Sequence, residues 1–284
     1  MLRLQKAKSI KAWRLSFASG VKVGFVPTMG ALHEGHISLI RESQKKSDLT
    51  VCSIFVNPTQ FDRKMDLEKY PRDIRKDAAL LRKEEVDLLF EPTVNEIYPE
   101  GTEKLRTYDL GGLDEKLEGA HRPGHFQGVC QVVHRLLELV QPNLLFMGQK
   151  DFQQMAVIQK LIGQIDIKPE LIACPTEREA DGLAMSSRNV RLTDEYRKRA
   201  PAIYQALLHA KKNFGIKPVG EIVAEALDML EEARLKPEYF EIVDGNELEP
   251  VRSATDADHI VALTAAWAGE VRLIDNVILR EKGQ

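Results

Sequence analysis

Short apolar runs alternate with helical patterns over the first 175 residues of the chain. The runs are long enough for buried strands, and apolar residues at the spacing of amphipathic helices lie between them. The predicted strands are residues 21–26, 49–56, 86–90, 144–147 and 171–174. This alternation predicts a parallel sheet wrapped by crossover helices.

Beyond residue 191 the pattern changes to two helices followed by three strands. Residues 193–214 and 219–235 carry the helical spacing. The strands are predicted at residues 239–243, 259–264 and 271–279. A run of helices followed by a run of strands is typical of an α+β domain. We therefore expect an α/β domain over residues 1–180 and a smaller α+β domain over residues 181–284.

The composition is that of a globular protein. Of the 284 residues, 43% are hydrophobic and 29% are charged, and the formal net charge is -3. A nucleic-acid partner would require a basic patch, and only helix faces of mixed charge are found. No apolar run approaches the roughly 20 residues of a membrane-spanning helix, so no membrane partner is expected.

Cysteine usage and the first residues indicate a reducing compartment. Cys52, Cys130 and Cys174 are far apart and are flanked by apolar residues, which favours reduced thiols in the core. The first eight residues are charged and lack the pattern of a secretory signal. We therefore expect the protein in the cytoplasm.

The first predicted strand leads into a glycine-bearing turn at residues 27–36, of sequence PTMGALHEGH. Pro27 is poorly suited to continue a strand, and a helical pattern starts directly after the turn. Backbone N–H groups at a helix start lack intrahelical partners and lie at the positive end of the helix dipole, so phosphate is the natural ligand. Gly30 and Gly35 would let such a ligand approach the backbone closely.

His33 and His36 give this turn its candidate chemistry. If the helix begins at residue 35 or earlier, both imidazoles lie near the same phosphate. The alternatives are two ordinary polar residues of a turn and a metal site. A metal site is disfavoured because no third ligand stands at a recognisable local spacing.

Polar side chains also follow the second and fourth predicted strands, where a doubly wound fold binds its ligands. Asn57 and Gln60 offer neutral donors and acceptors for a hydroxyl, carboxylate or amide. Lys150 is a point cation for phosphate, and Gln154 lies one helical turn later. Asp151 could cap the next helix or bind ribose hydroxyls. Solvated loops and a solvated helix start are the alternatives.

Two more segments carry positive charge. Residues 178–189 include Ser186, Ser187 and Arg188, and two hydroxyls beside a guanidinium suit polyphosphate oxygens. A polar interdomain linker is the alternative there. Residues 121–128 form a cationic lead into a helix, which suits either phosphate binding or helix capping.

Taken in order, these segments resemble the pantothenate synthetase family, whose members are pantoate-beta-alanine ligases. The resemblance runs nearly end to end. It is carried by residues 27–36, 57–61, 70–72, 122–128, 148–154 and 178–189. It implies a Rossmann-like nucleotidylyltransferase domain with a parallel sheet, a smaller α+β C-terminal domain, and a homodimer.

The resemblance also implies a two-step reaction. Pantoate attacks the α-phosphate of ATP, which gives pantoyl adenylate and pyrophosphate, and the amine of beta-alanine then displaces AMP to form pantothenate. Negative charge accumulates around phosphorus in the first step, so positioned positive donors are expected to carry catalysis. Mg²⁺ is implied as the counterion of ATP. No dedicated ligand for it can be identified, although Asp73 and Asp77 are possibilities.

The resemblance assigns the site residues as well. The expected catalytic residues are His36, His33 and Lys150. The expected ATP contacts are Met29, Gly30, Ala31, Leu32, His33, Glu34, Gly35, His36, Gly148, Gln149, Lys150, Asp151, Glu177, Met185, Ser186, Ser187 and Arg188. The expected substrate contacts are Gln60, Gln154 and Asn57. In this scheme His36 is the proton donor, and Gln60 binds pantoate and also lies near beta-alanine.

Three positions depart from the family pattern. Glu177 stands where an apolar residue is common, Gln149 where Glu is common, and Asp62 where glycine is common. The first two change nucleotide affinity if their side chains, rather than their backbone atoms, contact adenine and ribose. The third bears on the mobility of the loop that follows. We still expect residues 62–72 to shield the adenylate, because an acyl phosphate open to water would hydrolyse.

Two other functions fit part of this pattern. A nucleotidylyltransferase that releases its adenylated product would require more cations for a phosphorylated substrate than Gln60 and Gln154 provide. A nucleotide-sensing module would bind ATP without turnover, and its ATP binding would survive the loss of His36.

Overall fold

The structure is a computed structural model that describes residues 1–61, 67–68 and 70–281. Its contacts divide the chain into an N-terminal unit, Met1–Gly148 with Gln153–Pro175, and a C-terminal unit, Gln149–Phe152 with Thr176–Gln284. Asp62 and part of the expected shielding loop lie outside the described residues.

Parallel strands form the sheet of the N-terminal unit. They are β1 Leu2–Leu4, β2 Val23–Thr28, β3 Leu49–Ile54, β4 Leu88–Phe90, β5 Leu144–Gly148 and β6 Glu170–Cys174. Their order across the sheet is β1-β4-β3-β2-β5-β6. The predicted parallel sheet is confirmed. β1 is absent from the sequence prediction because three residues are too few to show a period.

The strand order reverses direction between β2 and β5. From β2 the chain adds β3 and β4 on one side, and it later adds β5 and β6 on the other side. The carboxyl ends of β2, β3 and β5 therefore share one edge at this switch point. Open α/β sheets bind ligands at such an edge.

Helices connect these strands. They are α1 Ala7–Leu15, α2 Glu34–Lys46, α3 Ile74–Lys83, α4 Val94–Ile97, α5 Leu117–His121, α6 His125–Val140 and α7 Phe152–Gln164. Ile37 and Ile40 of α2 are fully buried in one apolar cluster with Val26 of β2 and Leu89 of β4. Burial of each such side chain stabilises the fold by about 1.5–3 kcal/mol, so α2 is held firmly against the sheet.

Pro27 lies inside β2 instead of ending the strand, which corrects the expectation from sequence. Alternate residues of a parallel strand direct their backbone groups to opposite neighbouring strands. The carbonyl of Val23 accepts from the Asn143 N–H on the β5 side. Pro27 is four positions later, so its backbone groups face the β5 side as well. Because the pairing of β2 with β5 ends at Phe25 and Leu145, the missing N–H of proline breaks no ladder bond.

The C-terminal unit contains helices and an antiparallel sheet, which confirms the predicted α+β character. The helices are α8 Asp194–Arg199, α9 Ala202–Asn213 and α10 Val219–Glu232. The strands are β7 Lys236–Asp244, β8 Ile260–Ala268 and β9 Val271–Arg280, in the order β7-β8-β9. The single helix expected over residues 193–214 is two helices, because Pro201 cannot continue the hydrogen bonding of α8.

The three cysteines are buried and unbridged, as predicted. Burial raises the pKa of Cys52 and Cys130 to about 12 and that of Cys174 to about 11. These thiols are therefore protonated at neutral pH and are poor nucleophiles.

None of the helices that the structure describes combines the length and the apolar character needed to span a bilayer.

Candidate active site

The turn after β2 ends in a pair of imidazoles. His33 is the N-cap of α2, and the ring centroids of His33 and His36 lie 4.1 Å apart. Nδ1 of His33 accepts from the Gly35 N–H at 3.2 Å, and Nδ1 of His36 accepts from the His33 N–H at 3.3 Å. Because both Nδ1 atoms accept, each neutral ring carries its proton on Nε2. An Nε2–H group is a suitable donor for a phosphate oxygen.

Protein acceptors bind much of the backbone of this turn. Thr28 Oγ1 accepts from the Gly30 N–H at 3.2 Å, and Asp77 of α3 accepts from the N–H groups of Ala31 and Leu32, both at 2.9 Å. Gly30 has φ of +83°, and a Cβ atom there would lie 2.9 Å from Asp77 Oδ2. The N–H groups of these three residues, which precede α2, therefore bind protein side chains, and the expectation for the N–H groups at the start of α2 itself is unaffected.

Asn57 holds Gln60 in place after β3. Asn57 is 0% exposed, and its Nδ2 donates to Gln60 Oε1 and to the Gly128 carbonyl, both at 3.1 Å. Its Oδ1 accepts from the Tyr98 hydroxyl at 2.8 Å. Gln60 Nε2 lies 3.3 Å from Met29 Sδ, so residues that follow β2 and β3 meet. Because Asn57 is buried and its side chain binds protein groups, we interpret it as a residue that positions Gln60 and not as a ligand contact.

The segment that leads into α6 packs against the turn that carries Gln60. His125 Nδ1 lies 2.8 Å from the Gln60 carbonyl oxygen. A Cβ atom on Gly128 would lie 2.4 Å from the Thr59 carbonyl oxygen, so only glycine allows α6 to approach this closely. This part of the sequence therefore has a packing function that neither sequence interpretation included.

Two consecutive glutamines at the start of α7 have different surroundings. Gln153 is buried, and its Nε2 donates to the carbonyls of Leu113 and Lys116 at 2.7 and 2.8 Å. Its Oε1 accepts from the Glu118 N–H at 2.9 Å. Gln154 is partly exposed and follows the carboxyl end of β5, which neighbours β2. The side chain of Gln153 is therefore bound within the protein, whereas Gln154 is the partly exposed glutamine of the pair.

In the C-terminal unit, a single 3₁₀ turn, Gln149–Asp151, carries Lys150. Nδ2 of Asn276 on β9 donates to the carbonyls of Gln149 and Lys150 at 2.9 and 3.0 Å. Asn276 Oδ1 accepts from Gln149 Nε2 at 3.2 Å. The Gln149 side chain, which departs from the family pattern, is therefore bound to β9. Asp151 is exposed.

Arg178 anchors the start of the serine-bearing segment. Its guanidinium binds Asp275 of β9 through two bonds, at 2.6 and 3.0 Å, and donates to the Gly182 carbonyl at 3.1 Å. It also lies 3.7 Å from the ring centroid of Tyr204. Planar pairing and stacking together fix a guanidinium in one orientation, so this turn has a defined position on β9.

The expected ATP contacts in the same segment are close in space. The Met185 N–H donates to the Glu177 carbonyl at 2.9 Å, whereas the Glu177 side chain is exposed. Ser186 Oγ accepts from the Arg188 N–H at 3.2 Å, and Ser187 is partly exposed. The second departure from the family pattern, at Glu177, thus lies on a side chain that faces solvent.

A small cleft lies within the C-terminal unit. Its polar lining includes Lys150, Ser186, Arg188, Arg272 and Asp275. Arg272 is bound to Glu238, and Asp275 is bound to Arg178. Lys150 and Arg188 form no ion pair with any other residue that the structure describes. The cleft therefore presents excess positive charge and favours an anion.

A family model decides what kind of protein carries these features. The model described as pantoate-beta-alanine ligase matches residues 3–278. The chain belongs to the pantoate-beta-alanine ligase family. A relative from Porphyromonas gingivalis strain W83, named pantothenate synthetase, is 47% identical over 266 residues, which cover 92% of each chain.

Solved structures of pantoate-beta-alanine ligases have the same fold. Pantothenate synthetase from Thermus thermophilus matches with a TM-score of 0.91 and 39% identity, over 99% of this chain and 100% of that one. The ligase from Francisella tularensis, complexed with beta-gamma ATP and beta-alanine, matches with a TM-score of 0.81 and 35% identity over 98% of each chain. We conclude that the chain is an enzyme of this ligase family.

The residues suggested as Mg²⁺ ligands do not fit that function. Across the described residues, no group of three or more His, Cys, Asp and Glu side chains could hold a metal ion. The carboxylate of Asp77 binds two backbone N–H groups, and Asp73 caps α3 by accepting from the Lys76 N–H at 3.0 Å. We assign no protein ligand to Mg²⁺.

The sequence analysis missed the partners that hold two of the expected site residues in position. Tyr98 binds Asn57 across 41 positions, and Asn276 binds Lys150 across 126 positions. No local spacing indicates such partners. Covariation between distant positions is the signal that would find them.

Proposed function

We propose that the chain condenses pantoate with beta-alanine to form pantothenate, through pantoyl adenylate, and releases AMP and pyrophosphate. The observation that carries the proposal is the imidazole pair, His33 and His36, at the start of α2 and at the switch point of a parallel sheet. Membership of the pantoate-beta-alanine ligase family supports the substrates, as does the Francisella tularensis ligase complexed with beta-gamma ATP and beta-alanine.

In the first step, a pantoate carboxylate oxygen bonds to the α-phosphorus, and the bond from that phosphorus to pyrophosphate breaks. The Nε2–H groups of His33 and His36 donate to phosphate oxygens as negative charge develops, and His36 is the proton donor. Lys150 and Arg188 supply positive charge to the phosphates. Groups held in position before the reaction stabilise such charge without reorganisation, which is the main source of catalysis here.

The remaining nucleotide contacts follow the sequence assignment. We propose that residues 29–36, 148–151, 177 and 185–188 contact ATP. The Glu177 side chain is exposed, so we assign the contact of this residue with ATP to its backbone, whose carbonyl accepts from the Met185 N–H.

In the second step, the beta-alanine amine bonds to the acyl carbon, the bond from that carbon to the AMP oxygen breaks, and the amine loses a proton. Gln60 and Gln154 bind the hydroxy acid, and Gln60 also lies near beta-alanine. Amide groups suit hydroxyl and carboxylate partners without the desolvation cost of a buried charge. Asn57 acts through Gln60, because all of its described bonds are made within the protein.

Several properties expected from the sequence are part of this proposal. ATP enters as its Mg²⁺ complex, because Mg²⁺ is commonly held by substrate phosphates and water. The enzyme is a cytoplasmic homodimer with domains at residues 1–180 and 181–284. Sedimentation of the purified chain tests the dimer.

Pantoate-dependent exchange of pyrophosphate into ATP tests the reaction. Labelled pyrophosphate is incubated with the enzyme, Mg²⁺, ATP and pantoate, and beta-alanine is omitted. We expect label in ATP only when pantoate is present, because adenylation alone is reversible. Folded enzyme that exchanges no label would overturn the adenylate, and exchange with unrelated hydroxy acids at equal rate would overturn the substrate assignment.

A further inference from the structure

The turn that carries Lys150 depends on another part of the chain for its position. Lys150 has a flexible four-carbon stem, and its ammonium forms no ion pair with a described residue. The backbone of Gln149–Asp151 therefore sets the region that this ammonium can reach. That backbone is one turn of 3₁₀ helix, which is too short to be rigid alone.

Asn276 supplies the missing constraint. It is 1% exposed, and its amide makes three bonds to the turn: two donated to consecutive carbonyls at 2.9 and 3.0 Å, and one accepted from Gln149 Nε2 at 3.2 Å. A planar amide bound at both ends fixes both the distance and the orientation of its partner. The turn is thus fastened to β9 at a defined angle.

The neighbouring residue on β9 fixes the other cationic segment. Asp275 holds Arg178, which binds the Gly182 carbonyl, and the segment continues to Ser186 and Arg188. Asp275 and Lys150 both line the cleft. Two adjacent residues of one strand therefore set the separation between the two cations assigned to the phosphates.

We propose that Asn276 is the positioning residue for Lys150. It fixes the backbone of the turn so that the ammonium is within reach of the phosphates when ATP binds, and it makes no contact with substrate itself. The inference rests on the proposed function, in which Lys150 binds the phosphates of ATP. Misplacement of a catalytic group by about 1 Å costs on the order of 10²-fold in rate, which sets the expected effect.

A double-mutant cycle tests this proposal. The variants are Asn276→Leu, which keeps the branched shape and removes the hydrogen bonds without adding charge, Lys150→Ala, and the combination. Pyrophosphate exchange and the affinity for ATP, by calorimetry, are measured for each. We expect a loss on the order of 10²-fold in exchange for Asn276→Leu alone, and less than about 3-fold when Lys150 is already absent.

Thr50→Val is the matched control. Thr50 lies near the start of β3 in the N-terminal unit, it is 1% exposed, and its Oγ1 lies 2.8 Å from Ser43 Oγ. The substitution removes a buried hydrogen bond outside the unit that contains Lys150 and Asn276. We expect it to lower the melting temperature and to leave exchange unchanged. Asn276→Ala repeats the test if the leucine variant does not fold.

The outcomes separate the two proposals. Unchanged exchange and ATP affinity in Asn276→Leu, or an equal loss with and without Lys150, would overturn the positioning role. Absence of exchange in the unaltered enzyme would overturn the proposed reaction, and the cycle in ATP affinity would still decide the role of Asn276. If the unaltered enzyme does not bind ATP, both proposals fail.

Discussion

At the scale of single residues, the two nitrogen atoms of His36 have separate functions. Nδ1 accepts from the His33 N–H and so caps α2, while Nε2 carries the proton that suits a phosphate oxygen. Asparagine places an acceptor near the position of Nδ1, and glutamine places a donor near the position of Nε2. Substitution by asparagine therefore retains the helix-capping function alone, and substitution by glutamine retains the donor to phosphate alone.

We expect His36→Asn to keep the melting temperature and to lower the exchange rate by about 10²-fold to 10⁴-fold, because it retains the cap acceptor and lacks the distal donor. His36→Ala should lose rate to a similar extent and also some stability. His36→Gln should recover part of the rate. Full activity in His36→Asn would remove this residue from its proposed role.

Individual residues also show where sequence reasoning ends. His33, His36, Gln60 and Lys150 belong to local motifs, so their types and spacing are sufficient to select them. The sequence suggests Asp77 only as a possible metal ligand. Its actual partners, two backbone N–H groups, lie 45 and 46 positions away, and no periodicity relates them.

At the scale of elements, the approach of α6 to the turn Pro58–Gln60 depends on Gly128. Gly128→Ala would place a Cβ atom 2.4 Å from the Thr59 carbonyl oxygen. We expect the variant to lose about 1–3 kcal/mol of stability, as in other overpacked sites. Because Gln60 is the last residue of that turn, we also expect a higher KM for pantoate.

Gly163→Ala is the matched control for this prediction. Gly163 lies near the end of α7, and a Cβ atom there would have no neighbour within 4 Å. We expect unchanged kinetics and unchanged or higher stability, by up to about 1 kcal/mol, from the better helix propensity of alanine. Denaturant unfolding and steady-state kinetics measure both variants. Equal effects of the two substitutions would contradict the close-approach argument.

Elements are predictable to the extent that burial creates a pattern. The runs that form β2, β3 and β5 are buried on both faces, so they stand out as continuous apolar segments. Two prolines account for the errors in the predicted ends of elements: one lies inside a strand that was expected to end before it, and the other ends a helix that was expected to continue. Pro27 stays in its strand because the side it faces has no ladder bond to lose, and Pro201 divides a helix whose apolar spacing continues through it.

At the scale of the whole molecule, three buried thiols lower the free energy of unfolding as the pH rises above 9. Burial raises the pKa of Cys52 and Cys130 from 9.0 to about 12 and that of Cys174 from 9.0 to about 11. Below pH 9 both folded and unfolded thiols are protonated, and the stabilisation is fully present. Between pH 9 and about 11 to 12 only the unfolded thiols ionise, so stability is lost as pH rises.

We expect the unfolding free energy to fall between pH 9 and 10.5, by at most roughly 1.4 kcal/mol per pH unit for each thiol. Tyr98 and Tyr108 add to the slope near and above pH 10, because burial raises their pKa values from 10.0 to about 12. Urea unfolding at a series of pH values measures the slope. Cys130→Ala should reduce that slope by the contribution of one proton, whatever its effect on stability at pH 8. An identical slope in the variant and the unaltered chain would show that this thiol is not shielded as described.

The C-terminal unit is discontinuous in the chain, and this has a consequence for biosynthesis. Lys150 and Asn276 are 126 positions apart, so at ordinary translation rates roughly 6–25 s separate the synthesis of the lysine from that of the residue that fastens it. Once residue 189 has been made, the nascent chain contains all of its local sequence motifs and a loosely held cation. In the proposed scheme, a ribosome that stops between residues 189 and 276 releases a polypeptide that carries these motifs and cannot perform the adenylation efficiently.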